Sequence, residues 1–187
     1  MNGNNFMLLK PEERTGKQFT FILGPPCCGK STLCKRIANE TGAVHLSIGE
    51  ILRKQNDPTI QTIISTGRYV QPEEKRRLLR DEILKHASSK LFLIDGYIES
   101  GLLEELNATL LVLTCNPDEL QKRFGQRSQK NSREDDKSTS ISERVKQYYD
   151  GHSAIFAFYR NQGKIHEIDA SGTEEEVYAV VKHRISK

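Results

Sequence analysis

Short apolar runs alternate along this chain with longer stretches that carry apolar residues on one helical face. The runs are "QFTFIL" at 18–23, "LFLIDG" at 91–96, "TLLVLTC" at 109–115 and the shorter, alternating "IHEID" at 165–169. The first three are almost continuously apolar, which is typical of strands buried on both faces of a sheet. The pattern therefore predicts buried strands at these four positions.

The intervening stretches repeat their apolar residues at three- and four-residue spacing, which predicts helices. One helix follows Gly29 and ends at Gly42, and two more begin at Pro72 and Pro117. Two further helical stripes run from 138 to about 161 and from 173 to 185. Because no tight hairpin joins one strand to the next, we predict an α/β fold: a parallel sheet with helices on both faces, and ligands at the carboxyl ends of its strands.

Composition narrows the class of protein without deciding its function. The 187 residues are 36% hydrophobic and 28% charged, as in one ordinary globular domain, and the net charge is +3. Such a small excess does not require a nucleic acid, although it suits a phosphate site. No apolar run approaches the roughly 20 residues of a membrane helix. We expect a monomeric, cytoplasmic protein that binds neither membrane nor nucleic acid.

The N-terminal segment and the cysteines carry little signal. Residues 1–17 are broken by Pro11 and lack the apolar region of a secretory signal, so they predict a loosely ordered leader, although organelle targeting stays open. The four cysteines, at 27, 28, 34 and 115, form no C-x-x-C pair. Their spacing argues against a zinc finger or a redox pair and favours reduced thiols.

The stretch "GPPCCGKST" at 24–32 has the spacing of a phosphate-binding loop, and it lies between a predicted strand and a predicted helix. In such loops backbone N–H groups surround the phosphates, the lysine reaches the outer ones, and a hydroxyl helps to hold Mg²⁺. Lys30, Ser31 and Thr32 supply these groups. Cys27 and Cys28 are read as small filler between backbone amides; a thiol activated at a helix N-terminus is the alternative.

Charged residues elsewhere fit the same chemistry. Asp95 ends a predicted strand and is a candidate for the Mg²⁺ water shell, or alternatively a turn cap. Arg123 and Arg127 share a helix face, and Arg133 and Arg144 follow. Arginine stays protonated and binds phosphate oxygens in pairs, as phosphoryl transfer requires. The polar stretch "SQKNSREDDKSTS" at 128–140 is either a linker or a mobile cover over the site.

With these motifs in order, the sequence from about 19 to 185 resembles the nucleoside monophosphate kinases of the adenylate kinase family. "GPPCCGKST" is similar to the family's G-x-P-G-x-G-K-G-T, "HLSIGEILR" to H-L-S-[TA]-G-[DE]-L-L-R, and "FLIDGY" to F-L-[IL]-D-G-[FY]. "KRFGQRSQKNSREDDKSTSISERVKQYY" resembles the arginine helix, short lid and following helix. The resemblance implies a doubly wound, five-stranded parallel sheet of the P-loop NTPase fold. It also implies that residues 18–187 form one domain, with a small monophosphate-binding subdomain at about 47–72 and a short lid at about 128–138.

The resemblance further implies transfer of the γ-phosphoryl group of Mg-ATP to a nucleoside monophosphate, and it implies a role for each matching residue. Those implied for ATP are Gly24, Pro25, Pro26, Cys27, Cys28, Gly29, Lys30, Ser31, Thr32, Arg123, Arg127 and Gly172. Those implied for the monophosphate are Ile48, Arg53, Tyr69, Val70, Gly96, Tyr97, Arg133 and Arg144. The catalytic residues would be Lys30, Arg127, Arg133 and Arg144. Ser31 would hold Mg²⁺ directly and Asp95 would hold it through water. Because the lid is short and lacks cysteine, no zinc is expected.

The acceptor half departs from the family pattern. After "DGY" the family has proline and arginine, whereas this chain has Ile98 and Glu99. A carboxylate in place of the arginine should weaken phosphate binding unless Glu99 turns away. AMP is the expected acceptor. UMP or CMP is an alternative, as is a catalytically weak nucleotide-binding protein that regulates a protein partner.

Overall fold

The computed structural model describes residues 7–65, 70–130 and 140–185. Its sheet has five strands: β1 (Gln18–Leu23), β2 (Val44–Ser47), β3 (Leu91–Asp95), β4 (Thr109–Thr114) and β5 (Ile165–Asp169). Their order is β2-β3-β1-β4-β5, and every neighbouring pair is parallel. The predicted parallel sheet of a P-loop NTPase is therefore confirmed.

Nine helices surround this sheet in the described part of the chain. They are α1 (Pro11–Arg14), α2 (Lys30–Thr41), α3 (Ile48–Arg53), α4 (Pro58–Ser65), α5 (Pro72–Lys85), α6 (Leu102–Leu106), α7 (Pro117–Lys130), α8 (Ile141–Asn161) and α9 (Glu174–Ile185). Proline occupies the first turn of α5, where its fixed φ suits the helix and its missing N–H costs nothing. Gly42 ends α2 in a left-handed conformation at φ 72°, as the sequence predicts.

The strands divide their side chains between two cores, one on each face of the sheet. Phe21 and Ile94 belong to the core covered by α3 to α6 and α8. Ile22 and Leu93 belong to the opposite core, covered by α2, α7 and α9. This alternation explains why β1, β3 and β4 are almost continuously apolar, since both of their faces are covered.

The strand register brings three chain segments to one edge of the sheet. In β1 and β3, Ile22 pairs with Asp95, and in β2 and β3, Ser47 pairs with Asp95. The phosphate loop leaves β1 directly after Leu23. The ends of β1, β2 and β3 therefore lie side by side, which positions the loop, Ser47 and Asp95 around a common site.

The described part of the segment predicted as a leader carries two leucines that pack on the main core. Leu8 and Leu9 are fully buried in the main core, and the Leu9 N–H donates to Glu105 Oε1 at 3.0 Å. Arg80 on α5 pairs with Glu13 of α1 at 2.6 Å. Two adjacent leucines bury enough apolar surface to hold this segment on the core despite its polar surroundings.

Parts of the predicted domain organisation fall outside the described residues. Residues 131–139 contain most of the predicted short lid, including Arg133, and residues 66–69 contain Tyr69. The segment predicted as a monophosphate-binding subdomain supplies α3 and α4, whose Ile51 and Ile60 join the main core. A separate motion of this segment stays a prediction. No helix in the described ranges combines the length and apolar character that crossing a membrane requires.

Candidate active site

The phosphate loop is a tight turn between β1 and α2. Gly29 has φ 95° and Cys27 has φ 66°, so both lie in the left-handed region. A Cβ on Gly24 would approach Cys28 Sγ to 2.7 Å and Leu113 Cβ to 2.9 Å, which excludes any larger residue there. Cys27 stands where the family motif has glycine. A left-handed backbone conformation at a residue with a Cβ costs about 1–2 kcal/mol relative to glycine.

Lys30, at the start of α2, closes over this loop. Its Nζ donates to Gly24 O at 2.6 Å and to Pro25 O at 3.0 Å. The ammonium is thereby held at the loop, next to the N-terminal N–H groups of a twelve-residue helix. Both features favour anions at this position, because the helix N-terminus carries partial positive charge.

Asp95 lies at the centre of a network of polar side chains from three elements. Its Oδ2 accepts hydrogen bonds from His45 Nε2 at 2.6 Å and Ser31 Oγ at 3.3 Å, while Oδ1 accepts from Ser47 Oγ at 3.1 Å. Burial raises the pKa of Asp95, but contacts with His45, Lys30 and Ser47 together hold it below its ordinary value. The carboxylate is therefore charged at neutral pH. With Ser31 it forms the set of hard oxygen donors that Mg²⁺ prefers, so these residues fit the ion that the family resemblance implies.

A thiol completes the surroundings of this carboxylate. Ligand-type atoms of Cys34, His45 and Asp95 all lie within 4.8 Å of one another, a set the sequence spacing did not indicate. Burial raises the pKa of the Cys34 thiol, which keeps it protonated and a poor metal ligand at neutral pH. We therefore interpret His45 as the residue that orients Asp95, with Cys34 packed beside the pair.

A cavity of about 530 Å³ opens in front of the loop and joins the two halves of the site. Its walls include Gly24, Lys30 and Ser31 on one side and Ile48, Arg53 and Val70 on the other. Among the described residues, six lysine and arginine side chains line it: Lys30, Arg53, Lys75, Arg123, Arg127 and Arg144. Asp95 is the one carboxylate in this described lining. The cavity is therefore suited to a strongly anionic ligand.

Arg123 connects the loop to the far end of the sheet. Its Nη1 donates to Cys28 O at 3.3 Å and its Nη2 donates to Gly172 O at 3.0 Å, while Nε donates to Glu119 at 2.8 Å. Gly172 lies in the turn after β5 and reaches the site through this contact, since it does not line the cavity itself. Arg123 thus joins the loop to the turn after β5, two segments that the family resemblance assigns to ATP, although β5 is the last strand in the sequence.

Most of the predicted site residues line the cavity. Pro26, Cys27, Gly29, Thr32, Arg127, Arg144 and Gly96 line it, together with those already named. Pro25 and Cys28 also belong to the loop, but they are buried and do not line the cavity. Arg133 and Tyr69 lie outside the described residues. The roles of all these residues stay proposals.

Tyr97 is buried beside the cavity rather than in its wall. Its hydroxyl donates to Pro72 O at 3.5 Å, and burial raises its pKa to about 12.

On the same side of the cavity, the guanidinium of Arg53 lies close to Gly49 of α3. A Cβ on Gly49 would lie 3.3 Å from Arg53 Nη1. The glycine leaves room for the guanidinium at the cavity wall.

Glu99, the carboxylate in place of the family arginine, forms an ion pair with Arg76 of α5. Arg76 also reaches Glu105 at 3.4 Å. Glu99 does not line the cavity. The cost expected from like charges does not apply, because Glu99 is neutralised by a neighbouring helix.

Sequence reasoning did not assign nine of the described cavity residues to the site, among them Lys75, Tyr148 and His152. Tyr148 and His152 belong to the helical stripe of α8, and at helical spacing nothing distinguishes an aromatic ring that lines a cavity from one that packs in the core. Their rings are tilted by 35° with centroids 4.7 Å apart, and His152 Nδ1 donates to Tyr148 O at 2.7 Å. Lys75 sits in the run "EEKRRLLR", in which nothing distinguishes one basic residue from the next.

Comparison with known proteins agrees with this geometry. A family model described as an AAA domain matches residues 23–142. Adenylate kinase isoenzyme 1 of Oryctolagus cuniculus is 32% identical, with 91% of this chain and 95% of that protein covered. The same isoenzyme of Gallus gallus is 30% identical over 96% of this chain and 100% of its own. UMP-CMP kinase 2 of Oryza sativa subsp. japonica is 34% identical over 86% of this chain and 71% of its own.

Proposed function

Because this chain belongs to the adenylate kinase family of nucleoside monophosphate kinases, we propose that it transfers the γ-phosphoryl group of Mg-ATP to AMP. The observation that carries this proposal is the single cavity that joins the phosphate loop to the pocket formed by Ile48, Arg53 and Val70. A donor triphosphate and an acceptor monophosphate can meet there with their phosphates toward the same cluster of cations. Such alignment is the main contribution of an enzyme to phosphoryl transfer.

The loop half would bind the donor. Backbone N–H groups from 27 to 32, at the N-terminus of α2, would surround the β- and γ-phosphates, with Lys30 moving from the carbonyls of Gly24 and Pro25 onto phosphate oxygens. Arg123 would contact the donor end, since it lies between Cys28 and Gly172. Ser31 and Asp95 would hold Mg²⁺, which supplies charge neutralisation on the phosphate oxygens.

The arginines would bind the group in transfer. Arg127 and Arg144 line the cavity from α7 and α8, and Arg133 belongs to the segment between these helices. Negative charge spreads over the equatorial oxygens during transfer, so fixed guanidinium groups stabilise the transition state more than the ground state. No side chain needs to form a covalent bond.

The acceptor half would bind AMP. Arg53 supplies a cation, and the apolar side chains of Ile48, Leu52, Ile64 and Val70 form walls that can contact the face of a base. Such walls accept a purine or a pyrimidine, and the likeness to a UMP-CMP kinase makes UMP and CMP the second candidates. The hypothesis of a weak regulatory protein rests on the altered acceptor site, and the Arg76 pair accounts for one of its alterations, the charge of Glu99.

The test is a panel of acceptors. Purified protein is incubated with Mg-ATP and with AMP, CMP, UMP, GMP or their deoxy forms, and ADP release is followed, with adenosine as the control that lacks a phosphate. We expect the highest kcat/KM with AMP and no stimulation by adenosine. A higher kcat/KM with CMP or UMP would change the acceptor, and turnover with none of them, while ATP still binds, would refute kinase activity.

A further inference from the structure

Three consecutive basic residues of α5 point in three directions. Arg77 pairs with Glu74 at 2.5 Å and with Asp81 at 3.3 Å on the outer surface of the helix. Arg76 pairs with Glu99 and Glu105. Lys75 lines the cavity. Successive residues of a helix lie about 100° apart, so these different surroundings follow from the helix geometry.

Lys75 is held at the acceptor side of the cavity. Its Nζ lies 5.2 Å from the centroid of the Tyr97 ring, and Tyr97 follows Gly96 of the cavity wall. Burial lowers the pKa of Lys75, so its ammonium is partly removed from water. Burial also lowers the pKa of His152, and the charges of Lys75 and Lys30 lower it further. The two ammonium groups therefore act on one histidine in the same cavity.

Arg76 pairs with the carboxylate that would otherwise oppose an anion in the cavity. Both members of its pair with Glu99 are about four-fifths buried, at 21% and 23% side-chain exposure. Glu105, which also accepts from Leu9 N–H, holds the guanidinium from a second direction. The carboxylate of Glu99 is therefore drawn toward α5 and away from the anion that the cavity would take.

Resting on the proposed function, we propose that Lys75 binds the phosphoryl group of the acceptor monophosphate and that Arg76 is the positioning residue that neutralises Glu99. Lysine is a compact point charge with three donors on a flexible stem, which suits a phosphate dianion approached from one wall. In this chain Lys75 of α5 supplies the positive charge that the family has in the arginine after "DGY". The contact with the Tyr97 ring holds the ammonium of Lys75 in place before the anion arrives.

The first experiment compares Lys75→Met and Lys75→Gln with Lys75→Arg. Lys85→Met is the matched control, because Lys85 belongs to the same helix and pairs with Glu82 on the surface. We expect Met or Gln to raise the KM for AMP about tenfold or more, since a charge-assisted contact is lost, with the KM for ATP within twofold. Lys75→Arg should recover most of the affinity, and Lys85→Met should match the wild type.

Calorimetry separates phosphate binding from structural support. Both neutral variants should lose affinity for AMP while their affinity for adenosine stays unchanged. Equal losses for AMP and adenosine, or an unchanged KM for AMP, would overturn the assignment of Lys75. Lack of transfer by the wild-type protein would instead refute the proposed function, and AMP binding by calorimetry would still test Lys75 in that case.

The second experiment tests Arg76 through Glu99. Arg76→Met should weaken AMP binding, because the charge of Glu99 is then uncompensated beside the acceptor. Arg76→Met combined with Glu99→Gln should recover AMP affinity to within about threefold of the wild type, since a double-mutant cycle isolates the pair. If the double variant binds AMP as weakly as Arg76→Met, Arg76 does not act by neutralising Glu99.

Discussion

His45 Nε2 lies 2.6 Å from Asp95 Oδ2, although the two residues are fifty positions apart in the sequence. Asp95 accepts on both oxygens, so its charge and orientation depend on donors from β2 and α2 as well as on its own strand. His45 therefore contributes to the site by positioning Asp95.

Replacing His45 by alanine should destabilise the fold and weaken Mg²⁺ binding at the proposed site. A buried carboxylate that loses a donor costs about 1–3 kcal/mol, measured as the free energy of unfolding in urea. The Mg²⁺ concentration for half-maximal activity should rise as well. His86→Ala, which changes an exposed histidine, is the control, and equal stabilities of the two variants would contradict the role of His45.

Lys30→Ala should abolish phosphoryl transfer and leave the protein folded. The ammonium contacts two loop carbonyls and would contact phosphate oxygens once ATP is bound. Its loss therefore removes transition-state stabilisation. We expect kcat to fall by about a hundredfold or more, with an unchanged circular dichroism spectrum. Full activity of this variant would refute the assignment of the loop.

Cys27→Gly should stabilise the protein by about 1 kcal/mol. Residue 27 has φ 66°, where glycine is not strained and any residue with a Cβ is. Cys27→Ala is the matched control, because it removes the thiol and keeps the strain. Equal unfolding midpoints of the two variants would show that the thiol, and not the backbone, determines the effect.

The stability of the protein should decline in mildly acidic solution because of His152. Burial lowers the pKa of His152, so the folded state takes up a proton less readily than the unfolded chain. Above about pH 6.5 both states are neutral there and stability is unaffected; as the pH falls below that value the unfolded chain is protonated first and is favoured. His152→Gln should flatten the decline measured between about pH 7 and pH 5, whereas His183→Gln, at an exposed position, should not.

Leu9→Ala should cost about 3 kcal/mol of unfolding free energy, because Leu9 is fully buried and the truncation leaves a cavity. Met7→Ala is the control, since Met7 is 44% exposed. If the two variants unfold at the same urea concentration, the N-terminal segment does not contribute to the core.

Several features of this protein were predictable because their signals are local. Continuous apolar runs identified β1, β3 and β4, and proline and glycine identified the ends of α2 and α5. β2 was not found from the residues alone. It is four residues long and half-buried at its start, so its apolar signal is too short to separate from the helix that follows.

Local patterns failed where burial or charge depended on distant residues. Leu8 and Leu9 looked like an isolated apolar cluster, and only their packing against the main core shows that they belong to it. Glu99 looked like a repulsive charge in the acceptor site, and only the position of α5 shows its pair with Arg76.

Periodicity, spacing and residue type were enough to predict the parallel sheet, the phosphate loop and the cationic character of the site. Which of these charges face the cavity depends on tertiary packing. Lys75, Arg76 and Arg77 are chemically similar neighbours, and their directions depend on how α5 packs against the sheet and α6. A few ångströms of separation decide whether a charge binds a ligand or pairs within the protein, and that distance is set by contacts far apart in the chain.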